Sequence, residues 1–257
     1  MSQWLRAVGR TSLDVWRDTL AVWALFIRVC LRFRVTEPRL ILRQAYDAGN
    51  QSLPFVLLTL GFTGAIMVVE ACVQGQKILG DLSMIGPAFM KLLVREFAPT
   101  ISALMLAARY GAGTAAEIGT MKISEQVDAL RLAGADALTY LACPRVLGGT
   151  IAGVGLGICG AWIGFTCGGL VAHGLFDIGI MTYFDYGQVG LNDVLLGVIK
   201  CACFGFAVPL MAVFAGLGAS GGAPGVGRAT TYAVIGGSVA VLALDFFLGL
   251  LGFWLLP

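Results

Sequence analysis

Long apolar runs are the feature that most constrains what this chain can fold into. Of its 257 residues, 58% are hydrophobic and only 12% are charged, and the mean hydropathy is +0.86. A soluble globular domain of this composition would expose far too much apolar surface to water, so a lipid bilayer must supply the solvent. The sequence therefore predicts an all-α, polytopic membrane protein.

Five segments are long and apolar enough to cross a hydrocarbon core, which requires about 20 residues of helix. They cover residues 53–73, 87–108, 146–171, 194–217 and 232–256. The third segment contains the glycine pairs Gly153-x-x-x-Gly157 and Gly160-x-x-x-Gly164, whose spacing permits close approach of helices. Together the segments predict a five-span domain over residues 51–257.

Residues 1–50 are basic and amphipathic, and they predict a separate unit of interfacial helices. The apolar stretch from Thr19 to Ile27 is too short to cross the membrane. Arginines beside tryptophan and phenylalanine side chains favour a helix that lies in the interface plane, and a poorly inserted first span is the alternative. Pro38 predicts a break before a short helix over residues 39–49.

The placement of positive charges predicts the orientation of the chain. Arginines and lysines concentrate in the N-terminal segment and in residues 109–145, and Arg228 lies in the loop over residues 218–230. The connection over residues 172–193 carries three aspartates and neither lysine nor arginine. The positive-inside rule therefore places the N-terminus and residues 109–145 in the cytoplasm and the C-terminus on the opposite side.

Residues 115–134 are the longest polar interruption among the predicted spans. Ile123, Val127 and Leu130 fall on one face of a helix, and charged side chains occupy the other face. Thr114 followed by Glu117 predicts a capping box at its start. This segment is expected to form a charged amphipathic helix that a soluble partner can bind, although an ordinary solvated loop helix is the alternative.

Several motifs in this region and beyond it carry a family resemblance. They comprise Glu117, Gly119, Met121, Glu125, Gln126, Pro144 and Arg145, together with Arg95-Glu96 before Pro99, residues 225–231 and Leu244-Asp245-Phe246. The set resembles the MlaE (YrbE) family of ABC-transporter permeases. The likeness extends from about residue 40 onward, and several coordinated motifs are more specific than one short pattern.

The resemblance implies a permease subunit that moves phospholipid between the bacterial inner membrane and the periplasm or outer membrane, and so maintains outer-membrane lipid asymmetry. It also implies a homodimer with a lipid cavity, a separate ATPase that holds ATP and Mg, a periplasmic MCE-domain ring and, in many members, a STAS-domain protein. The residues expected to couple to the ATPase are Glu117, Gly119, Met121, Glu125, Gln126, Asp128, Leu130 and Arg131.

Charged residues inside the predicted spans require partners, because each costs at least about 2.5–3.5 kcal/mol at the centre of a membrane helix. Asp245 is expected to form an ion pair between helices, with Lys200 or Arg95. Arg95 and Glu96 are adjacent, so they are expected to point about 100° apart and not to face one neighbour. A phospholipid site needs cations and an apolar wall, and the expected residues are Arg95, Glu96, Lys200, Leu57, Leu60, Phe89 and Leu93.

The remaining patterns argue against other classes. Seven cysteines without a CxxC pair and a single histidine predict no metal site. No nucleophile–base set is present, so we expect neither an enzyme nor a cofactor on this chain, and no nucleic acid as partner. The glycine-rich run over residues 216–227 lacks a Walker ending and predicts a flexible loop, with Thr230 capping the last span.

An ion-coupled secondary transporter is the alternative function. Glu96, Lys200 and Asp245 would then form a relay for protons or ions within the membrane. Internal inverted repeats would favour this alternative, and the sequence shows no convincing repeat.

Overall fold

The computed structural model describes Arg17 and residues 19–32, 37–78, 82–134 and 136–255. Residues 1–16 of the predicted interfacial unit lie outside these ranges. All regular secondary structure in the described residues is helical. Four helices are long and apolar enough to cross a membrane, and they cover Pro38–Ile78, Thr139–Phe176, Leu191–Leu217 and Ala223–Trp254. The prediction of an all-α, polytopic membrane protein is therefore confirmed.

The helices follow one another with short connections. Helix α1 covers residues 19–32. The later helices are α2 (Pro38–Ile78), α3 (Ile85–Leu92), α4 (Ala98–Leu106), α5 (Ala112–Ile123), α6 (Gln126–Leu132), α7 (Ala137–Phe176), α8 (Ile180–Tyr183), α9 (Leu191–Leu217) and α10 (Ala223–Leu255).

Helix α2 is one uninterrupted helix where the sequence predicted two. The short helix expected over residues 39–49 forms its first turns, because Pro38 lies at the helix start, where its missing N–H costs nothing. At 1.5 Å per residue, the 41 residues of α2 extend about 60 Å, twice the thickness of the hydrocarbon core. The polar residues before Leu53 therefore extend beyond the hydrocarbon, and the helix runs through the expected domain boundary at residue 50.

The predicted second span is a segmented helix that continues beyond its expected end. Two π-helical segments, Leu93–Phe97 and Ala107–Gly111, join α3, α4 and α5 into a helical run from Ile85 to Ile123. The capping box predicted at Thr114 is wrong, because this residue is buried inside α5 and the preceding residues are already helical. Segments of π-helix shift the register of a helix face, often at functional sites.

The last helix also begins earlier than predicted. Helix α10 starts at Ala223, so only residues 218–222 remain as the connection from α9. Gly221 and Gly222 have φ angles of +85° and +72°, which favour glycine. Thr230 does not cap the helix, because it lies two turns inside and donates its hydroxyl hydrogen bond to the carbonyl oxygen of Gly227.

Helix α7 lies between α2 and α9, and glycines let it approach both. On the α9 side, an added Cβ at Gly153 would lie 2.9 Å from the Cα of Gly205. On the α2 side, an added Cβ at Gly64 would lie 2.9 Å from the Cα of Gly164. Thus a glycine of α7 meets a glycine of α9 on one side and a glycine of α2 on the other. These small residues bring the helix backbones into contact.

Helix α1 packs across this bundle at the end where α7 begins and α9 ends. Its Leu25 and Val29 are buried in one apolar cluster with Val146 of α7 and Val213 of α9. Its opposite face is exposed and apolar, with Trp23, Ile27 and Leu31. Arg32 forms an ion pair with Asp136 just before α7, which fixes α1 to the start of that helix.

The glycine contact between α2 and α7 predicts a strong effect of a single methyl group. We expect Gly64→Ala to force the two backbones apart and to lower the free energy of unfolding by about 1–3 kcal/mol, the usual cost of overpacking. Thermal unfolding of the purified chain in mild detergent measures this change. Gly155→Ala in α7 is the matched control, since an added Cβ there meets nothing within 4 Å; equal stability of both variants would contradict the packing.

Candidate functional site

The polar segment over residues 115–134 folds as two helices with a sharp turn between them. Helix α5 ends at Ile123, and Glu125 adopts a left-handed backbone conformation with φ of 61° before α6 begins. The hydroxyl of Ser124 donates to the carbonyl oxygen of Thr120 at 2.8 Å and closes the end of α5. The prediction of a single amphipathic helix here is therefore wrong, because α5 ends at Ile123 and a second helix begins at Gln126.

Asp128 fastens α6 to α5. Its carboxylate accepts a hydrogen bond from Lys122 Nζ at 3.0 Å and forms an ion pair with Arg131 at 3.3 Å. The hydrogen bond from Lys122, together with the positive charges of Lys122 and Arg131, lowers the pKa of the Asp128 carboxyl. A lowered pKa means that the bridge contributes fully above the ordinary aspartate pKa and is lost as the pH falls through the lower folded-state value.

Helix α6 has one buried face and one uncovered face. Val127 is fully buried against Leu141, with Met121 and Leu130 packed beside it. At the end of α6, Leu132 has 91% of its surface exposed. An isolated leucine so fully exposed is common on proteins, but here it adjoins the exposed polar side chains of Glu125, Gln126 and Arg131.

Helix α5 packs tightly against the end of α9, so α6 is connected to the membrane bundle. An added Cβ at Gly216 of α9 would lie 2.9 Å from the Cβ of Ile118. An added Cβ at Gly119 would lie 3.3 Å from the Cβ of Ala219. The structure thus places Gly119 at a close helix–helix contact, where an added side chain would require its neighbours to shift.

The residues expected to couple to an ATPase are divided among these elements. Glu117, Gly119 and Met121 lie on α5, Glu125 lies in the turn, and Gln126, Asp128, Leu130 and Arg131 lie on α6. Gly119, Met121 and Leu130 pack within the protomer, and Asp128 holds the two helices together. Their coupling role stays a prediction.

A polar cleft opens beside α5, with a volume of about 560 Å³. In its wall, Arg145 Nη2 lies 2.7 Å from Glu117 Oε1, and the arginine side chain is only 7% exposed. Arg145 Nη1 also donates to the carbonyl oxygen of Leu141 at 2.9 Å. Tyr110 donates to Gln44 Oε1 at 2.8 Å across the cleft. The Arg145–Glu117 pair ties α7 to α5, and the Tyr110–Gln44 bond ties the second π-helical segment to the start of α2.

A fully buried lysine lies at the centre of the charged residues predicted inside the spans. Lys200 Nζ lies 2.5 Å from Glu96 Oε2 and 2.8 Å from Asp245 Oδ1. The lysine side chain is 0% exposed, while Glu96 is 35% and Asp245 is 21% exposed. Three helical elements, the first π-helical segment, α9 and α10, therefore meet at one cation.

Arg95 also pairs with a residue of α9, but with Asp193 and not with Lys200. Its Nη1 lies 3.1 Å from Asp193 Oδ1, and Lys91 Nζ lies 3.6 Å from the other carboxylate oxygen. The expectation that Arg95 and Glu96 do not face one neighbour is wrong, because both reach α9. Asp193 and Lys200 are seven residues apart, so they share a face of α9 about 10 Å apart along its axis.

Asp193 is the residue that sequence reasoning missed as a partner. It is buried, and it also accepts a hydrogen bond from the backbone N–H of Gly190 at 3.1 Å, which caps α9. An aspartate three residues after a glycine at the start of a long apolar run is a signal for such a helix start. Nothing in that signal identifies Arg95 and Lys91 as its cationic partners.

The apolar residues expected to form a lipid wall occupy different places. Leu60, Phe89 and Leu93 are buried in the main core of the protomer, and Leu57 is half-buried. In the same part of α2, the large exposed side chains are Phe55, Leu58, Phe62 and Ile66. A role of the four expected residues in lipid contact stays a prediction.

Removing the positive charge of Lys200 alone is predicted to destabilise the protein strongly. We expect Lys200→Met to lower the free energy of unfolding by about 3–5 kcal/mol, because Glu96 and Asp245 lose their shared cation. The triple variant K200M/E96Q/D245N removes all three charges and is expected to regain most of the stability. Thermal unfolding in mild detergent compares them, and a Lys200→Met chain as stable as the parent would contradict a structural role of this ion cluster.

Comparison with known proteins places this geometry in a family. Residues 41–251 match the family described as Permease MlaE. A probable ABC transporter permease protein of Rickettsia typhi is 34% identical over 244 residues, covering 93% of each chain. The intermembrane phospholipid transport system permease protein MlaE of Haemophilus influenzae is 33% identical, covering 81% of each chain.

A plant relative extends the comparison. The chloroplastic protein trigalactosyldiacylglycerol 1 of Arabidopsis thaliana is 33% identical over 209 residues, which cover 80% of this chain and 59% of the plant protein. The family match includes the segmented helix, the α5–α6 turn and all three residues of the buried ion cluster. The chain therefore belongs to the MlaE family of ABC-transporter permeases.

Proposed function

We propose that this chain is the membrane permease of an ABC transporter that moves phospholipid between the inner membrane and the periplasm or outer membrane. ATP and Mg are bound by a separate ATPase subunit, and the transport maintains outer-membrane lipid asymmetry. The name of the Haemophilus relative, an intermembrane phospholipid transport system permease, supports the choice of cargo. The chain itself supplies the path and the mechanical link.

The uncovered face of α6 is the observation that carries this proposal. Leu132 is 91% exposed, and Glu125, Gln126 and Arg131 beside it are exposed as well. On its other side α6 is held by the buried Val127 and by the bridge from Lys122 to Asp128. A surface that is exposed outward and rigidly attached inward suits a subunit that pushes on the permease.

The push has a continuous route into the membrane. Helix α5 leads from the α5–α6 turn into the segmented helix, and Ile118 packs against the α9 end at Gly216. Farther along, Glu96 of that segmented helix contacts Lys200 of α9. ATP-driven closure of two ATPase subunits would therefore tilt the segmented helix and α9 together, as a rigid-body motion biased by a ligand on another subunit.

Two copies of the chain are proposed to form the lipid cavity between them. Helix α10 presents a large apolar face that one protomer leaves uncovered, with Val239, Leu242 and Phe246 each more than half exposed. Of the expected headgroup residues, Arg95 keeps 21% of its side chain exposed, and neighbouring Lys91 keeps 47%. Lys200 is fully buried and paired with two carboxylates, so we assign the headgroup contact to Arg95 and the helix anchoring to Lys200.

The proposed membrane is the bacterial inner membrane, with the N-terminus and the α5–α6 turn in the cytoplasm and the C-terminus in the periplasm. Of the cations that predict this orientation, the described Arg32, Lys122, Arg131 and Arg145 lie at the α6 end of the bundle, whereas Asp177 and Asp185 lie in the connection between α7 and α9. A periplasmic MCE-domain ring would contact the periplasmic end of the bundle, where the connection between α7 and α9 lies. A STAS-domain protein is a further proposed partner at the cytoplasmic end.

The ion cluster also bears on the alternative of an ion-coupled transporter. Glu96, Lys200 and Asp245 do converge within the membrane. Their mutual pairing gives them a structural role in one protomer, and the uncovered α6 face has no use in an ion-coupled carrier. We therefore retain the ABC permease as the proposed function.

The α6 surface predicts a specific loss of partner binding. We expect Leu132→Asp to reduce co-purification of the ATPase at least tenfold, because an apolar anchor is replaced by a charge, while the thermal stability of the permease stays unchanged. Affinity purification of the tagged chain from its native membranes, followed by mass spectrometry, measures the ATPase-to-permease ratio.

Met181→Asp is the matched control for this experiment. Met181 is also 91% exposed, but it lies on α8 in the connection between α7 and α9. Its substitution should leave the ATPase ratio at the parent value. The docking proposal fails if Leu132→Asp retains the ATPase, or if both variants lose it equally.

A further inference from the structure

The polar cleft beside α5 carries charges of both signs, and the transport mechanism uses none of them except Glu117, which is expected to couple to the ATPase. Three guanidinium groups line it, from Arg43, Arg109 and Arg145, and two carboxylates line it, from Asp47 and Glu117. Its volume of about 560 Å³ lies within the range of roughly 300–1,000 Å³ that holds small ligands. The cleft is thus large enough for a ligand and is not a closed ion-pair network.

The ion pairs already formed at the cleft leave charged side chains of both signs without a charged partner. Glu117 is neutralised by Arg145 at 2.7 Å. Arg109 donates through Nε to the carbonyl oxygen of Gln51. This bond satisfies one of its hydrogen-bond donors but does not neutralise its positive charge. Arg43 and Asp47 form no ion pair with any residue that the structure describes. Two cations and one carboxylate therefore remain available to a ligand.

An amide donor faces the same space. The side-chain oxygen of Gln44 accepts the hydrogen bond of Tyr110 at 2.8 Å. This bond fixes the amide and leaves its nitrogen, with two donor hydrogens, without a partner within the described part of the chain. A phosphate oxygen suits such a donor beside two arginines, since guanidinium groups bind phosphate through several charge-assisted hydrogen bonds.

The cleft lies at the depth of lipid headgroups. Its α2 residues lie between Leu40 and Gln51, immediately before the apolar part of α2 that begins at Leu53. From Leu53 to the exposed Glu70, α2 rises about 26 Å, close to the hydrocarbon thickness. Exposed Tyr46 and Tyr140 lie at this level, as expected of an interfacial aromatic belt.

An apolar stripe continues from the cleft into the hydrocarbon. The guanidinium of Arg109 lies 5.4 Å above the centre of the Phe55 ring. From there exposed Leu58, Phe62 and Ile66 follow on one face of α2, and each has more than half of its surface uncovered. A headgroup in the cleft would thus have its acyl chains beside this stripe.

We propose that the cleft binds the headgroup of a phospholipid that carries both a phosphate and a primary ammonium group. Arg43, Arg109 and the amide of Gln44 hold the phosphate, and Asp47 holds the ammonium. An anionic headgroup without an amine binds less well, because Asp47 repels it. The site lies at the α6 end of the bundle, apart from the Lys200 cluster, and its occupancy does not require that the chain transport lipid.

Two substitutions of opposite effect test the assignment. The full chain, with the subunits that accompany it, is placed in nanodiscs of equimolar phosphatidylethanolamine and phosphatidylglycerol, and native mass spectrometry counts the retained lipids. We expect Arg109→Gln to weaken retention of phosphatidylethanolamine about tenfold, as for the loss of a charge-assisted hydrogen bond. We expect Asp47→Asn to shift retention from phosphatidylethanolamine to phosphatidylglycerol.

A control variant outside the cleft and competition with inorganic phosphate separate the possible outcomes. Arg39→Gln, an exposed arginine of α2 outside the cleft, should retain both lipids as the parent does. Retention unchanged in both cleft variants, or reduced equally by Arg39→Gln, would overturn the site. Displacement of the lipid by millimolar inorganic phosphate would replace the lipid assignment with a soluble phosphate. If Arg109→Gln lowers thermal stability, Arg43→Gln is measured in its place.

This readout is separate from the transport proposal. Lipid retention is measured without ATP, and Leu132→Asp is expected to leave it unchanged even where the ATPase is lost. A retained lipid with no ATPase would contradict the permease proposal alone, and an ATPase with no selective lipid would contradict the cleft alone.

Discussion

Backbone contact between α7 and its two neighbours is the constraint on which the rest of the structure depends. Gly64 meets Gly164 on the α2 side, and Gly153 meets Gly205 on the α9 side. Without water in a bilayer there is no hydrophobic force between helices, so close packing and polar contacts hold them together. These glycines bring α2, α7 and α9 near enough that α9 can present its charged face to the segmented helix.

Charge pairing then connects the packed helices to the segmented one. Lys200 is surrounded by protein and requires the carboxylates of Glu96 and Asp245. Two turns away on α9, Asp193 requires Arg95. Removing Lys200 or Asp193, the residue shared by two pairs in each cluster, leaves charges of one sign that the membrane cannot solvate. The segmented helix is thereby fixed to α9 at two levels, and its continuation into α5 carries any movement of the α5–α6 turn to both.

The sequence predicted those features that depend on composition and periodicity, and failed where tertiary contacts decide. Apolar length located the four helices that are long enough to cross a membrane, whereas the predicted second span is a segmented helix outside that set. The expense of buried charge predicted that Asp245 has a cationic partner. The turn at Glu125 was missed, because a left-handed residue between two polar helices leaves no periodic signal. The partners of Arg95 were missed for a related reason, since the path of α9 past the π-helical segment depends on glycine contacts between distant residues.

The central claim is that a separate ATPase drives phospholipid through this chain. The most direct measurement is the transfer of labelled phospholipid out of proteoliposomes that contain the complex purified from native membranes, with and without ATP. We expect transfer that requires ATP and that ends when the ATPase is inhibited, with no response to a proton or sodium gradient. Transfer that follows an ion gradient and ignores ATP, from a chain that purifies without a nucleotide-binding subunit, would contradict the permease and favour the ion-coupled carrier.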